Sequence, residues 1–252
     1  MDDVSPASPE PILPGTPAPA SHPNVSSLPW AAFMRVLRRL SHNLRNYVNT
    51  AELEAAFAQE ITDDPEVRAS LTRLRRSLGK VADECEHLLT RVADPLAELI
   101  ELSGNELFQA IRQESERRLG SAVPITWEWQ GGDAVPLYVD PDLMCRIMRE
   151  LLDNAARYRL QADRPIRIRA GAKDAAFELE IIEPKTGAVD LSTWGIQPFT
   201  STEPGRYGLG TWAAHRWALA TGANLDRWYD AEQSSLVTRL TLNSRTDSDD
   251  RG

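Results

Sequence analysis

The stretch "RELLDNAARY", residues 149–158, has the apolar spacing of an amphipathic helix and a distinctive polar side. At about 100° per residue, Glu150, Asn154 and Arg157 fall within one narrow sector of that helix. The apolar residues fall in a neighbouring sector: Met144, Ile147, Leu151 and Ala155. Carboxylate and amide oxygens suit Mg²⁺, and a guanidinium suits phosphate. The pattern predicts either a solvated polar face or a site for a metal ion and phosphates.

A glycine-containing segment further along the chain favours the second interpretation. The stretch "PFTSTEPGRYGLGTW", residues 198–212, places Gly208, Leu209 and Gly210 directly before a predicted helix. Glycine allows close backbone approach, and the N-terminus of a helix offers N–H donors to an anion. A Glu-x-x-x-Asn helix, two strands, a loop and a Gly-Leu-Gly helix start follow one another, and this order resembles that of a known family described below.

The segment upstream predicts a long antiparallel helical hairpin. From Pro29 to about Thr62, one stripe contains the apolar residues Phe33, Leu37, Leu40, Leu44, Tyr47, Val48 and Ala51. After the turn "TDDP", a second helix carries a heptad seam of Leu71, Leu74, Leu78, Val81, Cys85, Leu88 and Val92. One hairpin cannot bury both stripes, so we expect a homodimer in which two hairpins pair into a four-helix bundle.

The remainder of the chain predicts an α+β fold, with helices layered on a mixed sheet. One helix ends at Gly120, and another begins at Pro141 with Asp140 as its cap. The predicted strands are "PITWEWQG", "PLYVD", "PIRIRAGA", "FELEIIEP", "NLDRWYD" and "LVTRLTLN". We expect a disordered Pro-rich tail at 1–27, the hairpin at 28–100, the α+β domain at 104–244 and a polar, disordered tail at 245–252.

The composition is that of an acidic globular protein. The 252 residues include 28 Lys and Arg against 37 Asp and Glu, for a net charge of −9. That charge argues against a general nucleic-acid binder. No apolar run reaches the ~20 residues needed to span a bilayer, and the acidic, Pro-rich start is not a secretory signal peptide. Cys85 and Cys145 show no metal or disulfide spacing. We therefore expect a cytoplasmic protein with no membrane span and no nucleic-acid partner.

From about residue 30 to residue 242 the chain resembles the histidine kinase core of two-component systems. "VDPDLMCRIMRELLDNAARY", residues 139–158, is similar to the N box of the GHKL ATP-binding domain, which histidine kinases share with gyrase B. "PFTST" and "GRYGLGTW" are similar to the F box and the second glycine box of that domain. The resemblance implies a dimerising helical hairpin followed by a GHKL-type α/β sandwich.

The resemblance also implies a Mg-ATP site. Asn154 would bind Mg²⁺, Glu150 would occupy the other metal-side position, and Arg157 would face the phosphates. The other nucleotide-binding positions would be Tyr158 beside the nucleotide, Glu183 and Gly187 in the first glycine box, Phe199 in the lid, and Gly208, Leu209 and Gly210 around the triphosphate.

The stretch "LSHNLRNYV", residues 40–48, contains the histidine that would accept phosphate. At about 100° per residue, His42 lies about 180° from the stripe of Leu37, Leu40 and Leu44 and should face solvent. Asn46 lies about 40° from His42 on the same face. The resemblance implies that His42 accepts phosphate and that Asn46 positions water for dephosphorylating a response regulator. His87, on the second helix, is a weaker candidate acceptor.

Three positions depart from the family pattern. Asn43 follows the histidine where the family has an acidic residue that helps to remove its proton, and an amide cannot act as that base. Tyr47 stands where the family has a proline. The first glycine box reads "EPKTG" here, with Glu183 in place of an aspartate and Lys185 in place of a glycine.

These features favour a histidine kinase that binds Mg-ATP, phosphorylates itself on His42 and transfers phosphate to an aspartate of a response regulator receiver domain. The alternative is an ATP-independent histidine phosphotransferase, or a pseudokinase scaffold or phosphatase acting on a response regulator. "EPKTG" favours the alternative, whereas the Glu150/Asn154/Arg157 face and the Gly208/Gly210 pair favour the kinase. A serine kinase on the same ATP-binding fold would explain the pocket but not the hairpin.

Overall fold

The computed structural model describes residues 29–131, 136–159, 164–173, 176–192, 194–201 and 207–243. The predicted disordered tails at 1–27 and 245–252 lie outside these ranges. Two long helices come first, α1 (Trp30–Ile61) and α2 (Pro65–Val92), as the hairpin prediction required. Asp64 caps α2, because its Oδ1 accepts hydrogen bonds from the backbone N–H groups of Glu66 and Val67 at 2.8 and 3.3 Å.

The two helices pack along a seam with a seven-residue repeat. The buried residues of α1 are Met34, Ser41, Val48 and Ala55. Two residues of the predicted stripe, Leu40 and Tyr47, are instead 60% and 71% exposed in the single chain. Each precedes a seam residue by one position, so its side chain is turned by about 100° away from α2. The predicted stripe therefore merged two faces of α1, one packed on α2 and one exposed.

An α+β domain follows the hairpin. Its elements are β1 (Ile100–Ser103), α3 (Gly104–Leu119), a short 3₁₀ turn (Gly120–Ala122), β2 (Ile125–Trp129), β3 (Pro136–Val139), α4 (Pro141–Arg157), β4 (Ile166–Lys173), β5 (Ala176–Pro184), α5 (Gly210–Ala220), β6 (Ala223–Asp230) and β7 (Ser235–Asn243). The main sheet has the order β2-β4-β5-β7-β6, in which only the β2–β4 pair is parallel. The remaining strands, β1 and β3, form a separate antiparallel ribbon.

The main core lies between this sheet and the three helices of the domain. Met144 and Ile147 of α4 are completely buried, as are Ile166 and Ile168 of β4. Leu151 and Ala155 are also buried, so the predicted apolar sector of α4 is the packed one. Asp140 caps α4 as predicted, with its Oδ1 accepting from Leu143 N–H at 2.9 Å.

A smaller apolar cluster joins the hairpin to the domain. Leu209, just before α5, is buried with Met34 of α1 and Val92 of α2. Arg216 of α5 reinforces the junction by donating to the backbone carbonyls of Val92 and Ala93, both at 3.3 Å. The base of the hairpin is thus packed against the N-terminal end of α5. Among the described helices, none combines the length and the apolar character that a membrane span requires.

Candidate functional site

A cavity of about 660 Å³ lies between α2, the C-terminal end of α4 and the segment before α5. Seven of the residues that the sequence predicts for nucleotide binding line it: Glu150, Asn154, Arg157, Tyr158, Gly208, Leu209 and Gly210. Glu183, Gly187 and Phe199 are outside this lining. The volume is within the range of small-molecule sites. The cavity therefore brings together the two segments that the sequence singled out.

The polar face of α4 forms one wall of the cavity, with an unpredicted partner from the hairpin. Arg91 of α2 donates from Nε to Glu150 Oε1 at 2.8 Å and from Nη2 to Glu150 Oε2 at 3.1 Å. Both carboxylate oxygens of the expected metal-side residue are therefore bound to a guanidinium. Asn154 and Arg157 have no such bond to α2 and face the cavity.

Lys185 and Arg227 line the inner end of the cavity, and both pair with the buried carboxylate of Glu183, which lies outside the lining. The Glu183 side chain is about 5% exposed, and Arg227 of β6 donates from Nη2 to its Oε1 at 2.8 Å. Lys185 Nζ lies 3.2 Å from Glu183 Oε2 and also donates to the Tyr158 carbonyl at 2.7 Å. Arg227 also stacks over Trp194, with 4.8 Å between Cζ and the ring centroid. Burial lowers the pKa of Arg227, while Glu183 opposes that shift.

This cluster alters the site that the first glycine box was expected to form. Each oxygen of Glu183 already has a cationic partner, so an adenine amino group would have to displace Lys185 to reach it. Lys185 is the residue that replaces a glycine of the family pattern. Gly187 is exposed, and a Cβ added there would meet no atom within 4 Å. The acceptor that the family pattern would offer to adenine is therefore already paired with cations of the protein itself.

The glycines before α5 are required by close packing. Gly208 has a φ of +60°, and a Cβ there would lie 2.5 Å from Ser201 N and 2.6 Å from Thr200 N. A Cβ on Gly210 would lie 2.5 Å from Glu150 Oε2. Leu209 is buried against the hairpin, and Phe199 is exposed with a φ of 62°. The segment predicted to close over a triphosphate is packed in this form against α4 and the hairpin.

The structure of α1 tests the prediction that His42 and Asn46 share a solvent-exposed face. His42 and Asn46 are both exposed, and Asn46 Nδ2 lies 3.5 Å from His42 Nδ1. Asn43 is also exposed, next to His42 on α1. The angular estimate for these side chains therefore agrees with the structure. The histidine that lines the cavity, however, is His87 of α2.

Sequence reasoning missed several cavity residues for identifiable reasons. Arg91 and Glu150 are 59 residues apart, and Arg227 and Glu183 are 44 apart, in segments with no shared motif. Lys185 was recognisable from the sequence as unusual, because it stands where the family pattern has a glycine. Among the described residues there is no cluster of three His, Cys, Asp or Glu side chains suited to a metal. The oxygen of Asn154 still suits Mg²⁺, whereas Glu150 would first have to leave Arg91.

The fold is similar to solved histidine kinase structures. Full-length ShkA in complex with AMPPNP matches with a TM-score of 0.65 and 18% identity, over 84% of this chain and 46% of that one. ThkA in complex with the response regulator protein TrrA matches with a TM-score of 0.51 and 14% identity, over 84% and 61% of the two chains. AdeS of Acinetobacter baumannii matches with a TM-score of 0.50 and 17% identity, over 81% and 98%.

The chain thus spans less than half the length of ShkA. No protein-family model and no curated protein matches the sequence. The structural likeness extends over the hairpin and the α+β domain together. The protein has the fold of a histidine kinase core, a helical hairpin followed by a GHKL-type α/β domain.

Proposed function

We propose that this protein carries phosphate on His42 and exchanges it with the aspartate of a response regulator receiver domain, without using ATP as the source. One observation carries the proposal. Glu183, which would have to accept the adenine amino group, is buried and bound by Lys185 and Arg227. Separating a buried carboxylate from such partners costs several kcal/mol, roughly 3–5 for a pair of this kind.

The environment of His42 supports its role in phosphate transfer. Its imidazole is exposed on α1, where a receiver domain can approach it. A neutral imidazole carries its proton on one nitrogen, and with that proton on Nδ1 the lone pair of Nε2 is free to attack phosphorus. A bond forms between Nε2 and phosphorus as the bond to the aspartyl oxygen breaks, and the carboxylate leaves with that electron pair. The Nδ1 proton is then lost to solvent, and the reverse reaction returns phosphate to the aspartate.

We further propose that the protein acts as a homodimer through the hairpin. The exposed face of the hairpin carries large apolar side chains: Val36, Leu40, Tyr47, Leu53, Phe57 and Ile61 on α1, and Val67, Leu74 and Val81 on α2. An exposed apolar surface of this kind marks an interaction site. A second hairpin of the same sequence would bury it in a four-helix bundle.

The second candidate function is ATP-dependent autophosphorylation. It is favoured by the cavity volume, by Asn154 and Arg157 on its wall, and by the likeness to ShkA, whose structure contains AMPPNP. In that function Asn154 would hold Mg²⁺ and Arg157 would contact phosphate. Bound Mg-ATP would supply the phosphoryl donor, and Lys185 would have to leave Glu183.

Two measurements separate these functions. Receiver domains phosphorylated with acetyl phosphate are mixed with the protein, and phosphate on the chain is followed on Phos-tag gels. We expect transfer to the wild type and none to His42→Gln, with His87→Gln as the matched control. Incubation with γ-labelled ATP and Mg²⁺ should give no label. Labelling of wild type that His42→Gln abolishes would establish the kinase instead, and absence of transfer from any receiver would refute the proposal.

A further inference from the structure

The inner end of the cavity has more hydrogen-bond donors than acceptors. Among the described residues, Arg227 Nε and Trp194 Nε1 are buried and have no acceptor. Lys185 Nζ makes two contacts, with Glu183 and with the Tyr158 carbonyl, which leaves a third N–H. A buried donor without a partner is unfavourable, because it has lost its hydrogen bonds to water. The inner end thus calls for a ligand that supplies acceptors.

The net charge at the inner end of the cavity also favours a ligand that supplies acceptors. Lys185 and Arg227 bring two positive charges against the single negative charge of Glu183. The 6-amino group of adenine would present N–H to N–H there, which is unfavourable. A ring edge with two acceptors, such as O6 and N7 of guanine, matches lysine and arginine donors well.

The outer part of the cavity suits a phosphate chain. Arg157 and Asn154 lie on one wall, and the N-terminus of α5, beginning at Gly210, lies on the other. Carboxylates also line the cavity: Glu84, Glu150, Asp153 and Asp190. Arg91 neutralises Glu150, and Arg118 neutralises Asp153, while Glu84 and Asp190 are exposed at the rim. Phosphate charge therefore meets Arg157 without an opposing unpaired carboxylate inside.

We infer that the cavity binds guanine nucleotides in preference to adenine nucleotides, with the base at Lys185, Arg227 and Trp194 and the phosphates toward Arg157. Trp194 and Arg227 both line the cavity, and because their unpartnered N–H groups are buried, the Trp194 ring must turn before a guanine edge can reach them. His87 and Arg91 of α2 line the same cavity. A bound nucleotide would therefore lie beside the hairpin.

Direct binding to the full chain tests this inference. Isothermal titration is carried out with GTP, ATP and guanosine, each with Mg²⁺. GTP and ATP differ only in the base, so comparing them measures the contribution of the base to affinity. Comparing GTP with guanosine measures the contribution of the phosphates. We expect GTP to bind at least tenfold more tightly than ATP, and guanosine to bind more weakly than GTP. Equal affinity for GTP and ATP, or no binding of GTP at millimolar concentration, overturns the inference.

Two variants test the assignment of the base. Trp194→Phe removes one N–H donor and keeps an aromatic side chain. We expect it to weaken the binding of GTP about tenfold, with little effect on the binding of ATP. Lys185→Gly frees Glu183 Oε2 as an acceptor, so we expect it to shift the preference toward ATP. Unchanged preference in both variants would show that the base binds elsewhere. The transfer of phosphate from a receiver domain to His42 is measured without nucleotide. A failure of the guanine-nucleotide inference therefore leaves the proposed phosphate transfer untouched, and the reverse also holds.

Discussion

Arg91 of α2 and Glu150 of α4 form a two-point salt bridge across the boundary between the hairpin and the α+β domain, with bonds of 2.8 and 3.1 Å. Both side chains are largely shielded from solvent. Gly210 makes room for this bridge, because any larger residue would place its Cβ against the carboxylate. The cavity wall is thus built from both parts of the chain, and the bridge holds them together.

Removing Arg91 should therefore destabilise the junction. For Arg91→Ala we expect a loss of about 2–3 kcal/mol in the free energy of unfolding, since a partly buried carboxylate is left without its partner. Urea titration followed by far-UV circular dichroism measures this loss. The matched control is Arg45→Ala, which breaks the exposed Arg45–Glu86 pair and should cost less than about 1 kcal/mol. Equal effects of the two substitutions would show that the Arg91 bridge contributes no more than a surface pair.

The architecture could be predicted largely from local patterns. Asp140 and Gly120 mark helix ends, and each is present where the sequence indicated. Strand β1 was missed because its four residues show no alternation of burial and are recognisable only beside β3. The two faces of α1 were merged because a stripe read at about 100° per residue does not say which face packs within the chain.

The candidate site could be predicted only in part. The α4 motif located the cavity, because residues three and four apart on one helix share a face. Its electrostatics could not be predicted, because the partners of Glu150 and Glu183 come from distant segments. Lys185 was visible as a departure from the glycine box, but only the structure shows its ammonium bound between Glu183 and the Tyr158 carbonyl.

The buried charges around Glu183 should act as a unit. For Arg227→Leu we expect a loss of about 3–5 kcal/mol in the free energy of unfolding, because a buried carboxylate loses one of two cations. Arg239→Leu is the control, since its bonds to Glu180 lie on a more exposed part of the sheet. Adding Glu183→Leu and Lys185→Met to Arg227→Leu should recover most of the stability. A triple variant less stable than Arg227→Leu would contradict this account.

The apolar face of the hairpin should determine the oligomeric state. We expect the pair Leu53→Glu and Phe57→Glu to convert a dimer to a monomer, because charges replace two largely exposed apolar residues of α1. Size-exclusion chromatography with light scattering gives the mass. Leu219→Glu, at an exposed apolar residue of α5, is the control and should leave the dimer unchanged. A dimer that survives the double substitution would place the interface elsewhere.

The thiol of Cys145 should react slowly at neutral pH. Burial, together with Glu114 and Asp142, raises its pKa to about 11. The reactive thiolate therefore remains a small fraction below that pH. In Cys85→Ser, which isolates this thiol, we expect the iodoacetamide rate to rise about tenfold per pH unit from pH 7 to 10. A rate that levels off before pH 10 would show that the pKa is not raised, and Cys85→Ser/Cys145→Ser gives the background.

Asn46 should affect the hydrolysis of the aspartyl phosphate on the receiver domain, and not the transfer of that phosphate to His42. Its side chain lies beside the imidazole, 3.5 Å from Nδ1, and is exposed where a receiver domain would dock. An amide there can hold a water molecule in line with an aspartyl phosphate, and losing that alignment should slow hydrolysis about tenfold. We therefore expect Asn46→Ala to slow receiver dephosphorylation, measured by phosphate release, while transfer to His42 changes less than twofold. Asn43→Ala, beside it on the same helix, is the control. Equal slowing of both reactions in Asn46→Ala would assign the residue to receiver docking instead.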